Sequence, residues 1–460
     1  ANADAATCWI EAGQLASQHS ATREAMLHFK SGLAMIDKLP DDPERARMEL
    51  ELNIGLGAAA CAAQGYASAE GTAAYSRAAA LCDQHDDKPD MFRAAWGLWA
   101  SASSRTDYAC ALDLARQLLR MAGQGKNPVH AQQAHFAVAA TSYWRGEFPL
   151  AREHLERARS LYQETQHHNH VTEFGEDAGV TSAAYLSWVQ WFLGFPDQAQ
   201  ESSRQSIALA RRLGHPFSLA YALAFASILH CRLRQPGKAL DLAEETLNLA
   251  NSHQFPLWQI GGTLAHGWAL ALQNNMDGIQ ILRQCVEGTR GTMGGVTLVV
   301  LEPLVDAYTV LGLHEAALRA NDEAVAAAGA IGDHHVDAEL HRLKAESLLG
   351  ATAGNQAGAE ACFQSAIETS QRQQARSLEL RAATGLARLW QAQGKRDEAR
   401  SLLDKVYRWF AEGRDTPDML NALELLDALG RQGTNGRPAR GIADGIHLPH
   451  GVRRKSRQSS

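Results

Sequence analysis

The chain has 460 residues, of which 45% are hydrophobic and 21% charged, and its net charge is −7. No stretch approaches the ~18–20 uninterrupted apolar residues that a membrane span requires, and the acidic balance argues against nucleic acid along the body. The seven cysteines are scattered with no CxxC or CxH pair, so they read as reduced, buried fillers and not as a disulfide framework.

The N-terminal stretch "ANADAATCWIEAGQLASQHS" lacks the basic start and apolar run of a signal peptide. Trp9, Ile10 and Leu15 read as a helix already in progress. The expectation is a cytoplasmic chain that forms the C-terminal piece of a longer protein. From here a small residue recurs at Ala25, Gly71, Ala111, Ala151, Ala199, Ala239, Gly278, Ala317, Ala359 and Ala399, with successive steps of 46, 40, 40, 48, 40, 39, 39, 42 and 40. Several of these end a Gly-x4-Ala turn, as in "GEFPLA" (146–151), "GFPDQA" (194–199), "GLHEAA" (312–317), "GNQAGA" (354–359) and "GKRDEA" (394–399). Pro89, Pro128, Pro216 and Pro256 each open the apolar run that follows, as proline does at the first position of a helix. Each unit therefore reads as helix A, a short glycine turn, helix B and a loop.

One helical pair cannot bury its apolar face alone, but stacked pairs share a continuous core. The fold class predicted is all-α, a right-handed α-solenoid of about ten tetratricopeptide-like hairpins over 1–430. The two long steps mark possible bends near 37–60 and 160–180. In "WFLGFPDQA" (191–199), Gly194 is expected to end helix A in the left-handed region. Pro196 opens helix B, Asp197 suits its positive end, and Ala199 lets the two helices approach closely.

Candidate chemistry is sparse along the chain. "QHHNH" (166–170) groups His167, His168 and His170, but the spacing fits no helical ligand pair and a solvated loop is expected. "DHH" (333–335) is read the same way. "QPGKAL" (235–240) has neither the upstream glycine nor the following Ser or Thr of a phosphate loop, and no GxSxG or HExxH occurs. No enzyme activity, metal or cofactor is expected in this chain. From Arg431 the composition turns to Gly, Arg and Ser, with Asp444 the lone acid. Residues 431–460 are expected to be a disordered basic tail.

The spacing Gly-x4-Ala, x3-aromatic or aliphatic, x2-Ala resembles the tetratricopeptide repeat across residues 5–428. Three segments go further: "GFPDQAQESSRQSIALARRLGHPFSLAYAL" (194–223), "GVTLVVLEPLVDAYTVLG" (295–312) and the stretch 359–420 that ends "RDTPDML". They resemble the C-terminal repeat region of bacterial signalling proteins in which a class III adenylate or guanylate cyclase domain precedes a STAND-like AAA-type ATPase. The resemblance implies a non-catalytic regulatory array, with enzymatic domains upstream and absent from this chain. The 40-residue unit is also similar to the maltose-regulator type of sensor superhelix, which implies a small-molecule ligand as the alternative.

The aromatics of helices A are the candidate binding residues. If the marker alanine is taken as the twentieth position of its unit, Trp96, Tyr143, Trp144, Tyr185, Trp188, Trp191, Tyr221 and Phe225 fall where such arrays face their concave surface. An aromatic wall suits a protein or peptide partner, upstream domains of the same polypeptide, or a small ligand.

Overall fold

Helix starts and stops follow the local chemistry of the chain. Proline stands at the first position of α7 (Pro128–Trp144), α11 (Pro196–Leu213), α12 (Pro216–Arg232), α13 (Pro236–His253) and α14 (Pro256–Leu272). Asn127 caps α7 by accepting from the backbone N–H groups of Val129 and His130, which satisfies donors left over in the first helical turn. Gly194 takes φ +88 between α10 (Ala178–Phe192) and α11, as its place in the turn requires.

The computed structural model describes residues 2–85, 88–125, 127–289, 296–351 and 355–431, so the basic tail beyond Arg431 lies outside the described residues. The chain is an all-α, right-handed solenoid of ten helical hairpins among the described residues. The first three are α1 (Asn2–Gln18) with α2 (Thr22–Ile36), α3 (Pro43–Gln64) with α4 (Ala69–His85), and α5 (Lys88–Ser104) with α6 (Tyr108–Gln124). α7 pairs with α8 (Phe148–Leu161), and α9 (His167–Phe174) follows as a single short helix. Next come α10 with α11, α12 with α13, and α14 with α15 (Asp277–Thr289). The last are α16 (Val296–Val310) with α17 (His314–Ile331), α18 (Asp337–Ala351) with α19 (Gln356–Gln373), and α20 (Arg376–Ala392) with α21 (Arg396–Tyr407). A terminal helix, α22 (Pro417–Gly430), packs on α20 and α21. The two long sequence steps correspond to the 22-residue length of α3 and to the insertion of α9.

Every marker alanine from Ala25 to Ala399 is fully buried where a helix B meets its helix A. At Gly278 the approach is backbone on backbone: an added Cβ would stand 2.4 Å from the Gly267 carbonyl oxygen. Outer helices bury one stripe only, as α6 does with Ala111, Ala115, Leu118 and Ala122. Inner helices differ. Every residue of α10 is buried, and α12 is nearly the same. A helix apolar all round is one covered on every side: α10 is enclosed by α7, α8, α11 and α12, with α20 from a distant unit added, and α12 by α10, α11, α13 and α14.

The coil closes on itself. α10 touches α20, and α3 touches α14. Hairpin tips of the first turn receive groups from the second. His334 N–H donates to the Trp144 carbonyl at 2.9 Å, the Ser377 hydroxyl donates to the Trp191 carbonyl, and Arg381 donates to the Arg232 carbonyl. The Glu412 carboxylate accepts from the N–H groups of Asp197 and Gln198 at 2.9 and 3.1 Å, which caps the N-terminus of α11 from the far end of the chain.

A buried ion seam runs along the inner helices of the second turn. Arg232 meets Glu302 at 3.2 Å, Arg234 and the Trp268 indole N–H both reach Asp306, and Arg342 makes two 2.8 Å bonds to Glu339. Arg381 joins Glu339 at 3.1 Å to Asp418 at 2.8 Å. Burial alone would raise the Glu339 carboxyl, but the Arg342 and Arg381 guanidiniums hold it well below the usual carboxylate range.

Three expectations need correction. Asp333 and His335 are buried, not solvated, because the loop before α18 docks on the α7–α8 tip, where His335 packs edge-on to Trp144 at 4.8 Å. His170 is fully buried within α9, and His167 pairs with the buried Asp177 at 2.8 Å; of the 166–170 group, the His168 side chain lies outside the described residues. The cysteines are not uniformly buried: Cys61, Cys82 and Cys231 are, whereas Cys8 on α1 and Cys110 on α6 stand on outward faces.

Candidate functional site

Among the described residues, closure of the coil leaves an apolar cavity of about 190 Å³, open on one side. The inner helices supply one wall: Tyr185 and Trp188 from α10, Tyr221, Ala224, Phe225 and Ile228 from α12, and Leu257, Trp258, Gly261 and Leu264 from α14. The other wall comes from the first turn. Tyr66 and Ala67 lie in the α3–α4 loop, and Ser103, Ser104, Thr106 and Tyr108 surround the α5–α6 turn. Trp144 stands at the end of α7. Among the described residues, no charged side chain lines the cavity.

The rings form a connected stack. Trp188 and Phe225 lie parallel, with centroids 3.9 Å apart, and Tyr221 stacks on Phe225 at 4.6 Å. Trp258 leans on Tyr221 at 4.6 Å. The helical repeat places them so: Tyr221 and Phe225 are four residues apart on one face of α12, and the Trp188 indole N–H is tied to the Phe225 carbonyl at 2.9 Å. Such aromatic contacts contribute about 0.5–1.5 kcal/mol each beyond area burial, so the wall is rigid without an occupant.

Polar groups are few and placed at edges. Burial holds the Tyr185 and Tyr221 phenols above the ordinary phenol range. The Trp258 indole N–H is closed off from solvent and has no acceptor. Behind the cavity wall, the Tyr66 hydroxyl donates to Glu176. Burial pushes the Glu176 carboxyl up to about 8, and Tyr66 and Asp177 act on it less strongly. A carboxyl raised in the folded state holds a proton that the unfolded chain has released, so stability falls as pH rises from the ordinary carboxylate value towards 8. Glu176→Gln is expected to flatten that fall, with urea midpoints equal to wild type near pH 4 and higher at pH 8. Equal midpoints at both values would show that Glu176 is already ionised.

Of the eight residues expected from sequence, Trp144, Tyr185, Trp188, Tyr221 and Phe225 meet on the cavity wall. Tyr143 lies behind them, fully buried, with its ring 5.7 Å from Trp188. Trp96 belongs to a separate cluster with Trp99 and Phe174, its indole bonded to Gln133 at 3.1 Å. Trp191 sits at the joint between turns, under the guanidiniums of Arg381 at 4.9 Å and Arg232 at 5.6 Å. All but Trp144 are buried residues. Sequence reasoning missed Trp258, which stands on α14 three residues before Gly261, the counterpart of Tyr221, and Tyr66 and Tyr108, which reach the cavity only through closure of the coil. It also missed the ion seam. The signal was there: Glu302 and Asp306, four residues apart, stand inside the otherwise apolar "VTLVVLEPLVDAYTV".

No family model and no curated protein matches the chain. Among solved structures, the chain is similar to a Rap protein complexed with competence and sporulation factor, at 11% identity over 93% of this chain and 98% of that one, with a TM-score of 0.41. It is similar to yeast Tom70 at 14% identity over 92% and 95%, with a TM-score of 0.39. It is also similar to a Signal Transduction ATPase with Numerous Domains protein with a tetratricopeptide repeat sensor from Pyrococcus horikoshii, at 15% identity over 79% and 55%, with a TM-score of 0.40. Among the described residues, no helix is long and apolar enough to cross a membrane.

Proposed function

We propose that this chain is the non-catalytic receiving array of a modular cytoplasmic signalling protein of the bacterial cyclase–ATPase kind, and that its ligand enters the aromatic cavity. One observation carries the reading: the cavity is walled by the α3–α4 loop and the α5–α6 turn on one side and by α10, α12 and α14 on the other. An occupant touching both walls binds one curvature of the coil better than another, and that difference is what shifts a population towards it. Domains attached to the coil would then read occupancy as a change of shape.

A second reading, a peptide partner that anchors one apolar side chain, is favoured by the open mouth and the hydroxyls of Ser103, Ser104 and Thr106 beside it. Both readings meet the same test. Cell extract is split into a small-molecule fraction and a protein fraction, and each is added to the chain while tryptophan emission and the radius of gyration are followed. One fraction is expected to quench emission and shift the radius, and Ile260→Trp, which adds bulk at the half-buried α14 edge of the cavity, is expected to weaken that response at least tenfold. An unaltered response in Ile260→Trp, or none in wild type, would sink the proposal. The fraction that acts decides between small molecule and peptide.

A further inference from the structure

We infer that the cleft between α7 and α8 is a binding site for a divalent transition-metal ion, held by the Nδ1 atoms of His135 and His154. The cleft shares no lining residue with the aromatic cavity, so the inference is independent of the receiving-array reading.

The spacing of the two rings carries it. His135 stands on α7 and His154 on α8, both half-buried, and their Nδ1 atoms are 3.0 Å apart. The ring centroids lie 4.9 Å apart and the planes are inclined by 45°. Two imidazole nitrogens on one tetrahedral ion, each at ~2.0–2.1 Å, are separated by about 3.3 Å. The observed pair is within a few tenths of that bite. A modest rotation of each ring about its soft χ2 torsion turns the lone pairs from each other towards a common point. Room for the ion is present, since both rings line an open cleft of about 460 Å³ with Glu153, Glu156, Arg157 and Ser160. Charge at the rim is balanced: Arg152 holds Glu156 at 2.7 Å, and Glu153 offsets Arg157. No excess of positive charge repels a cation there.

Protons do not compete for the pair at neutral pH. Burial holds the His135 imidazolium down to about 4, with His154 and Arg157 adding to the effect, and burial lowers His154 as well. With both rings neutral, one donates its Nδ1 proton to the other. Moving that proton to Nε2 leaves two bare Nδ1 atoms and releases no net proton. Imidazole suits zinc, copper and nickel, whereas calcium and magnesium take oxygen ligands. Among the described residues no group of three His, Cys, Asp or Glu is gathered as for a closed metal centre. Water therefore fills the rest of the shell, and the ion stays exchangeable. A bound ion ties helix A to helix B in the hairpin whose tip receives His334 from the second turn.

The experiment titrates zinc chloride by calorimetry into the whole chain at pH 7. Wild type is expected to take up one equivalent that about a hundredfold excess of magnesium does not displace. His135→Gln and His154→Gln are each expected to weaken binding at least tenfold. His19→Gln, which removes an exposed imidazole from the α1–α2 turn, is expected to leave it unchanged. Binding is expected to persist at pH 5.5, where an imidazole of ordinary pKa, about 6.5, is mostly protonated and lost as a ligand. The electron-spin spectrum of bound Cu²⁺ is expected to show two nitrogen ligands in wild type and one in either single variant, which reads the ligands themselves and not only the affinity. No uptake by wild type, uptake unchanged in both variants, an equal loss in His19→Gln, loss of binding at pH 5.5, or a wild-type copper spectrum with a single nitrogen would overturn the inference.

Discussion

Replacing Glu339 by alanine is expected to destabilise the chain by about 3–5 kcal/mol, the usual effect of removing one partner from a buried ion pair. Glu339 is 1% exposed and holds two guanidiniums, Arg342 by a two-point contact and Arg381 across to the next inner helix. Without it, Arg342 keeps Glu346 at 2.7 Å and Arg381 keeps Asp418, but two positive groups then face each other in the interior. Urea unfolding near pH 7 measures the loss, and a difference under 1 kcal/mol would mean that water enters the seam. The pH dependence has a definite sign. The folded carboxyl lies far below its unfolded value, so its contribution is present in full above the ordinary carboxylate range of about 4.3. It fades as pH falls through the folded value. The gap between wild type and Glu339→Ala is therefore expected to be constant from pH 8 to pH 6 and to narrow only in strong acid. Replacing the whole seam with apolar residues of matched volume need not weaken the fold, since desolvation offsets much of what the pairs contribute.

The second large effect is expected at Gly194. An added Cβ there would stand 2.6 Å from the Trp409 ring and 2.8 Å from Arg376 Cβ, and φ is +88. Valine adds left-handed strain of about 1–2 kcal/mol to an overpacking cost of about 1–3 kcal/mol. Gly394 provides the control. It occupies the equivalent turn of the last hairpin at φ +83, with nothing within 4 Å of an added Cβ. Gly394→Val carries the strain alone. The difference between the two variants isolates what docking of one turn on the other contributes, and scattering should show Gly194→Val with the larger radius. Equal losses in the two variants would mean that the turns do not rest on each other in solution.

The same glycine marks how far the sequence could be read. Its φ, the proline after it and the buried Ala199 follow from "WFLGFPDQA", because helix punctuation is local chemistry. The ten small markers gave the hairpins for the same reason: the contact of Ala151 or Ala399 with its partner helix needs only the neighbouring segment. What the pattern could not carry is the pitch of the coil. Nothing near residue 194 announces that Trp409 and Glu412 will rest upon it. Five aromatics expected on an inner wall do meet in one cavity, because helix periodicity sets which face they occupy. Trp96 and Trp191 do not join them, since their surroundings are decided by units far along the chain. Tyr66 and Glu176, more than a hundred residues apart, became partners only through the same closure.

Docked tips also change what this molecule does under load. An open solenoid behaves as a slack spring, in which each hairpin feels only the next. Here the windings touch, as in a closed-coil spring wound with initial tension. Pulled from its ends, such a coil does not lengthen in proportion to force; it holds its length until the Glu412, Ser377 and Arg381 contacts part, and then yields. A domain attached to either end would register a threshold, not a gradient.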